Sequence, residues 1–307
     1  MPRMKAPHPR PSRAPRCAWA VILGSVLAFA GDAQRPWKGV NAVTRQEMFA
    51  ESDAYERFMG RWSRQLAPLL VTFASVREGD SVLDVGSGTG ALAFAIIAAA
   101  PSARVTGVDP SRAYVQYARA RGHGERVRFQ VGDAQALELP DATFDRTVSL
   151  LVMNFIPDPA KALREMIRVT RPGGVIAAAV WDYGDGMEML RVFWDEAVAL
   201  EPGAAARHER TMPLCRRGEL VALWRAGGLL HVAEEPIDIE LSFTSFDDYW
   251  SPFLGGQGPA GAYVASLSAG TRAVLEARLR ARLGTRGDTP FTLRARAWAV
   301  KGVVAAR

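Results

Sequence analysis

The sequence predicts an α/β fold built on an open parallel sheet with both faces covered, and three observations predict it. Between residues 81 and 181 short apolar runs alternate with helical stretches, the rhythm of parallel strands joined by crossover helices. The apolar runs are continuous rather than alternating, as strands hidden on both faces are. Three successive runs close on aspartates, Asp84, Asp109 and Asp133, at separations of 25 and 24 residues, one βα unit each.

The elements follow in order. Residues 54–76, "AYERFMGRWSRQLAPLLVTFASV", read as one or two leading helices interrupted near Pro68. Residues 81–85 form a first strand, and "ALAFAIIAAA" a helix stopped by Pro101. "ARVTGVDP" is a second strand ending at Asp109, followed by the helical "SRAYVQYARARG". "RVRFQVGD" is a third strand ending at Asp133, and "TFDRTVSLLVMNF" a fourth. "DPAKALREMIRVT" carries apolar residues at Ala162, Leu163, Met166, Ile167 and Val169, the spacing of one helix face. "RPGG" turns the chain into a fifth strand, "VIAAAVW". Residues 187–201 and 217–226 read as helices, "HVAEEPIDIEL" as a strand, and 243–267 as loop-rich and aromatic. "TRAVLEARLRARL" is helical and "PFTLRARAWAVKGVV" is a last, alternating strand.

Composition narrows the function classes. Residues 1–47 hold eight Lys/Arg against two acids, which accounts for the whole net charge of +6 and leaves the remainder neutral. A nucleic-acid partner is therefore disfavoured, because its electrostatic footprint belongs on the folded domain. A local excess of nine Lys/Arg over two acids lies between Arg272 and Arg307 and reads as a solvated face. Cys17 and Cys215 make no disulfide framework, and four scattered histidines give no metal site. The basic, proline-rich start followed by "CAWAVILGSVLAFA" looks like a secretory signal or a misassigned start upstream of Met48.

In an open parallel sheet ligands bind beyond the carboxyl ends of the strands. There, "VLDVGSGTG" places Gly86, Gly88 and Gly90 at alternate positions, where a backbone needs close approach or unusual turns. A dinucleotide fingerprint is nominally present as Gly86, Gly88 and Ala91. Asp84, two residues before the first glycine, is poorly placed for a pyrophosphate. It suits an ammonium group, with Asp109 accepting ribose hydroxyls and Asp133 an adenine amine. Three acids at the ends of three strands, together with this glycine loop, thus favour a ligand with adenine, ribose and an amino-acid tail.

"VLDVGSGTG", "VTGVDPS", "VGDAQALELPDATFD" and "LREMIRVTRPGGVIAAAVWD" resemble the successive motifs of class I S-adenosylmethionine-dependent methyltransferases, especially the small-molecule and quinone-biosynthesis members. The resemblance spans about residues 50–185. It implies a Rossmann-like, doubly wound seven-stranded sheet with an antiparallel last strand and a helical insertion. The implied layout is an N-terminal extension 1–47 and a methyltransferase domain 48–307: leading helices 48–80, cofactor core 81–183, substrate cap 184–290 and last strand 291–307. Carried over, Asp84, Gly86, Ser87, Gly88 and Gly90 hold the methionine moiety, Asp109 the ribose, and Pro110 and Ser111 the adenine edge. Asp133 and Ala134 meet the adenine, and Ser149 and Leu150 line the methyl-bearing side.

The implied cofactor is S-adenosyl-L-methionine and the partner a small or medium-sized organic acceptor. Because methyl transfer asks mainly for alignment, no dedicated catalytic constellation is expected. Candidates near the chemistry are Tyr55, Met59, Arg61 and Trp62 in the leading helix, Trp181 and Asp182 after the fifth strand, His208, Tyr249 and Trp250. Arg61 is expected to pair with the cofactor carboxylate and Tyr55 or Trp62 to face the sulfonium. "NFIPD" departs from the Asn/Asp-Pro-Pro-aromatic run of exocyclic-amine methyltransferases. An inert S-adenosylmethionine-binding partner and an NAD-dependent oxidoreductase stay open as alternatives. The location expected is cytoplasmic, because the cofactor is a cytosolic metabolite.

Overall fold

The computed structural model describes residues 55–122, 124–284 and 289–306, so the expectations for residues 1–47 lie outside it. Seven strands form one sheet: β1 (Ser81–Val85), β2 (Arg104–Asp109), β3 (Val127–Val131), β4 (Phe144–Leu150), β5 (Thr170–Trp181), β6 (Leu230–Phe243) and β7 (Phe291–Val303). Their order is β3-β2-β1-β4-β5-β7-β6. β1 to β5 pair in parallel, and β7 runs antiparallel between β5 and β6. The strand order reverses at β1 and β4, where a crevice opens between loops that diverge to opposite sides.

The helices, in chain order, are α1 (Arg61–Phe73), α2 (Ala91–Ala99), α3 (Arg112–Ala120), α4 (Pro159–Val169) and α5 (Glu188–Leu200). They continue with α6 (Glu219–Ala226), α7 (Phe246–Trp250), α8 (Gly258–Ser266) and α9 (Ala269–Arg282). Two cores cover the two faces of the sheet. Val82 packs with Leu66 and Leu70 of α1 and Ile96 of α2, whereas Leu83 and Val85 pack with Leu163 and Met166 of α4 and Trp224 of α6. This alternation puts Asp84 on the Val82 side, under α2. Ser111 and Asp158 cap α3 and α4 by accepting from Tyr114 N and Lys161 N, which fixes where those helices begin. Among the described residues no helix is long and apolar enough to cross a membrane.

Four expectations need correction. Pro68 does not interrupt the leading helix: it sits exposed inside α1, on the face turned away from the core. The irregular turn comes earlier, as a π-helical segment over Glu56–Gly60. The fourth strand stops at Leu150, because Leu151 takes φ +62° and Met153–Phe155 coils into a 3-10 turn over the crevice. "RPGG" is a bulge within β5 rather than a turn before it, since Phe144 pairs with Thr170 and Arg146 already with Val175. Finally, the aromatic stretch after β6 is helical, with Ser245 Oγ capping α7 by accepting from Asp248 N.

Segment 184–290 is also not a single cap. α5, α7, α8 and the 3-10 turn Ser251–Gly255 form one aromatic layer, with Phe193 of α5 stacked on Phe253 at 4.7 Å, and α9 packs against α5. α6 and β6 instead complete the sheet, β6 pairing with β7 from Leu230↔Val303 to Phe243↔Phe291.

Candidate functional site

The loops after β1, β2, β3 and β4 enclose a cavity of about 400 Å³. The glycine loop forms its floor. Gly86 N and Ser87 N both donate to Val108 O, at 2.7 and 3.0 Å, so the loop is bent back onto the end of β2. Gly86 holds φ +74°, and a Cβ there would lie 2.5 Å from Val152 Cγ1. Gly88, at φ +51°, has nothing within 4 Å of its would-be Cβ. One glycine therefore serves protein packing and the other leaves open space. Gly90 lies off the cavity as the left-handed N-cap of α2, tight against Phe94.

Two buried carboxylates stand at this floor. Asp109 Oδ2 accepts from Gly88 N at 2.9 Å and Oδ1 from Ser111 N at 2.8 Å. Burial raises its pKa, and those two amides pull it back. Asp84 is 1% exposed, and among the described residues neither of its oxygens has a hydrogen-bond partner. Burial first, then the nearby Asp109 carboxylate, push its pKa up to about 8, opposed only by the Ala93 backbone N–H. An orphaned acid in a cavity wall is costly unless something completes it.

The rim is more open. Asp133 is exposed and its carboxylate accepts from Gln135 N at 2.8 Å and from the Gln135 side-chain amide. Pro110, Ser111, Ala134 and Leu150 line the cavity, as does Tyr55. Ser149 does not: its hydroxyl donates to Val85 O at 2.8 Å inside the sheet, which ties β4 to β1. Burial raises the Tyr55 pKa, and its hydroxyl lies 3.2 Å from Ser63 Oγ. Glu56, its neighbour, bonds both Thr89 Oγ1 and Arg64, which fastens the π-helical turn onto the glycine loop.

Several expected residues lie elsewhere. Arg61 Nη1 donates to Asp248 Oδ1 at 2.8 Å, and its guanidinium lies 4.1 Å from the Trp62 ring centroid and 4.8 Å from that of Phe243. It is a latch between α1 and α7, not a cavity group. Trp62 is buried in the core, edge-on to Phe243 at 5.4 Å. Tyr249 donates its hydroxyl to Met189 O at 3.0 Å, and Trp250 and Asp182 are buried outside the cavity. His208 stacks on Trp194 at 5.4 Å, and its Nδ1 accepts from Arg210 N at 2.9 Å. Burial, then Arg210, lower its pKa, which suits a neutral capping imidazole rather than a base aimed at the cavity.

Sequence reasoning missed Tyr114 and Phe155, both in the cavity wall, where Val152 also lies. Tyr114 packs against Tyr55 at 5.5 Å, and its buried hydroxyl has no partner among the described residues. Its place on the apolar stripe of α3 with Val115 and Ala118 was a usable signal. It missed Glu209 as well, which lines a recess beside the cavity together with Met59 and Trp181.

Fold and site together define a class: a doubly wound α/β domain with an antiparallel last strand, whose crevice sets two buried carboxylates, Asp84 and Asp109, against a glycine loop. A family model for a methyltransferase domain matches residues 83–178. An uncharacterised protein of Mycobacterium tuberculosis is 30% identical over 196 residues, 62% of this chain and 71% of that protein. The 27-O-demethylrifamycin SV methyltransferase of Amycolatopsis mediterranei is 36% identical over 131 residues, 41% of this chain and 46% of that enzyme. Phosphoethanolamine N-methyltransferase 2 of Haemonchus contortus, solved with S-adenosyl-L-methionine, shares the fold with a TM-score of 0.52. It is 21% identical, over 83% of this chain and 57% of that one. The chain belongs to the class I S-adenosylmethionine-dependent methyltransferases, and S-adenosylmethionine is the cofactor of that family.

Proposed function

We propose that this protein moves a methyl group from S-adenosylmethionine to a small or medium-sized organic acceptor. The observation that carries the reading is Asp84, a buried carboxylate without partners in the wall of a cavity of about 400 Å³. Such a group calls for a cationic donor, and the ammonium of an amino-acid tail is one, so that end of the cofactor belongs beside Asp84, Gly86, Ser87 and Gly88. Asp109 accepts one backbone amide on each oxygen and keeps lone pairs for the two ribose hydroxyls. Pro110, Ser111, Asp133 and Ala134 border the adenine, and Leu150 the methyl-bearing side. Gly90 and Ser149 act one step removed, as the N-cap of α2 and the tie between β4 and β1.

When bound, the cofactor supplies an activated methyl on a sulfonium whose departure needs no proton. The chain's own work is to orient the partners and exclude water. Tyr55 and the turn Met153–Phe155 cover the crevice from two sides, consistent with that need. Apolar walls at Leu150, Leu151, Val152 and Phe155 favour an organic acceptor over a polyanion. A cytoplasmic location is part of the same reading.

The test is binding and transfer together. Calorimetry is expected to show S-adenosylhomocysteine binding that Asp109→Ala abolishes, with no heat from NAD. Labelled S-adenosylmethionine is then offered with phenols, carboxylic acids, amines and thiols. Binding without transfer to any of them overturns the enzyme and favours an inert cofactor-binding partner.

A further inference from the structure

Beside the cofactor cavity lies a smaller recess of about 40 Å³, and the two share the walls Tyr55, Leu151 and Phe155. The rest of the recess is largely apolar, built from Phe58, Met59 and Leu190 among others. Glu209, Trp181 and the Tyr183 phenol bring polar groups into that lining. Glu209 is 3% exposed, its Oε2 accepts from Trp194 Nε1, and the backbone N–H groups of Glu209 itself and of Ala260 also favour its charged form. Trp181 is 1% exposed, and its indole N–H has no partner among the described residues. A buried donor without a partner therefore stands in the wall of one small space beside a buried carboxylate that keeps spare lone pairs.

We propose that this recess anchors the methyl acceptor by a hydroxyl carried on an otherwise apolar body, with Glu209 accepting the hydroxyl hydrogen and Trp181 Nε1 donating to its oxygen. The inference rests on the methyltransferase reading and deepens it by naming the acceptor's chemistry. Size and chemistry both select the group. About 40 Å³ holds roughly three water-sized positions, enough for the hydroxyl-bearing end of a molecule and not the whole. An ammonium donates but cannot accept, so it leaves the Trp181 N–H unpaired; a carboxylate and a methyl ether bring no hydrogen for Glu209 to accept. A hydroxyl satisfies both groups at once.

Glu209 also has structural duties, since the Ala260 backbone N–H favours its charged form and Trp194 donates to it. Burial nonetheless pushes its pKa up to about 8. The sequence neighbour His208 faces Trp194 instead, so adjacent residues separate a packing role from a recognition role.

The test uses the full chain saturated with S-adenosylhomocysteine and measures phenol, anisole and benzylammonium binding by calorimetry. Wild type is expected to prefer phenol to anisole at least tenfold. Glu209→Gln, which keeps an acceptor for Trp194, is expected to cut that preference below threefold without changing S-adenosylhomocysteine affinity. Trp181→Phe removes only the N–H donor and ring volume, and is expected to weaken phenol several-fold more than anisole. It carries the test if Glu209→Gln does not fold. A merely structural Glu209 shifts the melting temperature and leaves the phenol preference intact, which overturns the inference, as does stronger binding of benzylammonium than of phenol. Failure to bind S-adenosylhomocysteine overturns the methyltransferase reading itself; binding it without any phenol preference overturns only the anchor.

Discussion

Asp109 holds the glycine loop by Gly88: the Gly88 backbone N–H donates to Asp109 Oδ2 at 2.9 Å, across 21 residues of sequence. The carboxylate that lines the cavity is thus also the clamp on the loop beneath it. Asp109→Ala removes both functions, leaving two backbone amides without their acceptor. The expected cost is about 1–3 kcal/mol, read as a lower melting temperature, together with at least a tenfold loss of S-adenosylhomocysteine affinity. Unchanged affinity in a folded variant contradicts the ribose assignment.

The Asp84 carboxyl, with its pKa near 8, makes the ligand-free protein pH-sensitive. A group whose folded pKa lies above its unfolded value adds stability at low pH and loses it as pH rises through the folded value. Unfolding free energy is therefore expected to fall from about pH 4 to about pH 8, with Glu209 acting in the same direction. Asp84→Asn flattens part of that slope in denaturant titrations. Binding of the cofactor's ammonium at pH 7 is expected to release a proton from Asp84. Calorimetry in buffers of different ionisation enthalpy measures it, and Asp84→Asn removes it.

Arg61 is expected to matter for stability and not for the cofactor. Its ion pair with Asp248 is about a quarter exposed at each partner, so the pair alone contributes little; contacts with Trp62 and Phe243 add to it. Arg61→Ala is expected to cost about 1–2 kcal/mol while S-adenosylhomocysteine affinity stays within twofold. A tenfold affinity loss with unchanged melting reinstates Arg61 as a carboxylate partner.

The two loop glycines are expected to differ. Gly86→Ala meets an unfavourable φ and a 2.5 Å clash with Val152, so it destabilises by several kcal/mol or requires the loop to move. Gly88→Ala has the same φ problem but open space, and costs about 1–2 kcal/mol unless cofactor contacts are lost too. Equal melting temperatures for the two variants contradict the packing role of Gly86.

Much of the fold was legible from local signals. Continuous apolar runs marked β1 to β5, the stripe Ala162, Leu163, Met166 and Val169 marked α4, and acids placed one βα unit apart marked the crevice. Cavity residues close in sequence to those strand ends, Gly86, Ser87, Gly88, Pro110, Ser111, Ala134 and Leu150, were readable for the same reason. A strand delivers its last residues to the sheet edge whatever the rest of the chain does.

Side chains outside the core motifs were not readable in that way. Arg61 turns toward Asp248, 187 residues distant, because folding brings a carboxylate and two aromatic faces to it. His208 and Glu209 look interchangeable in sequence, yet one stacks on Trp194 and the other enters the recess. Backbone pattern follows from neighbours along the chain; the direction in which a polar side chain spends its hydrogen bonds follows from partners that only packing brings near.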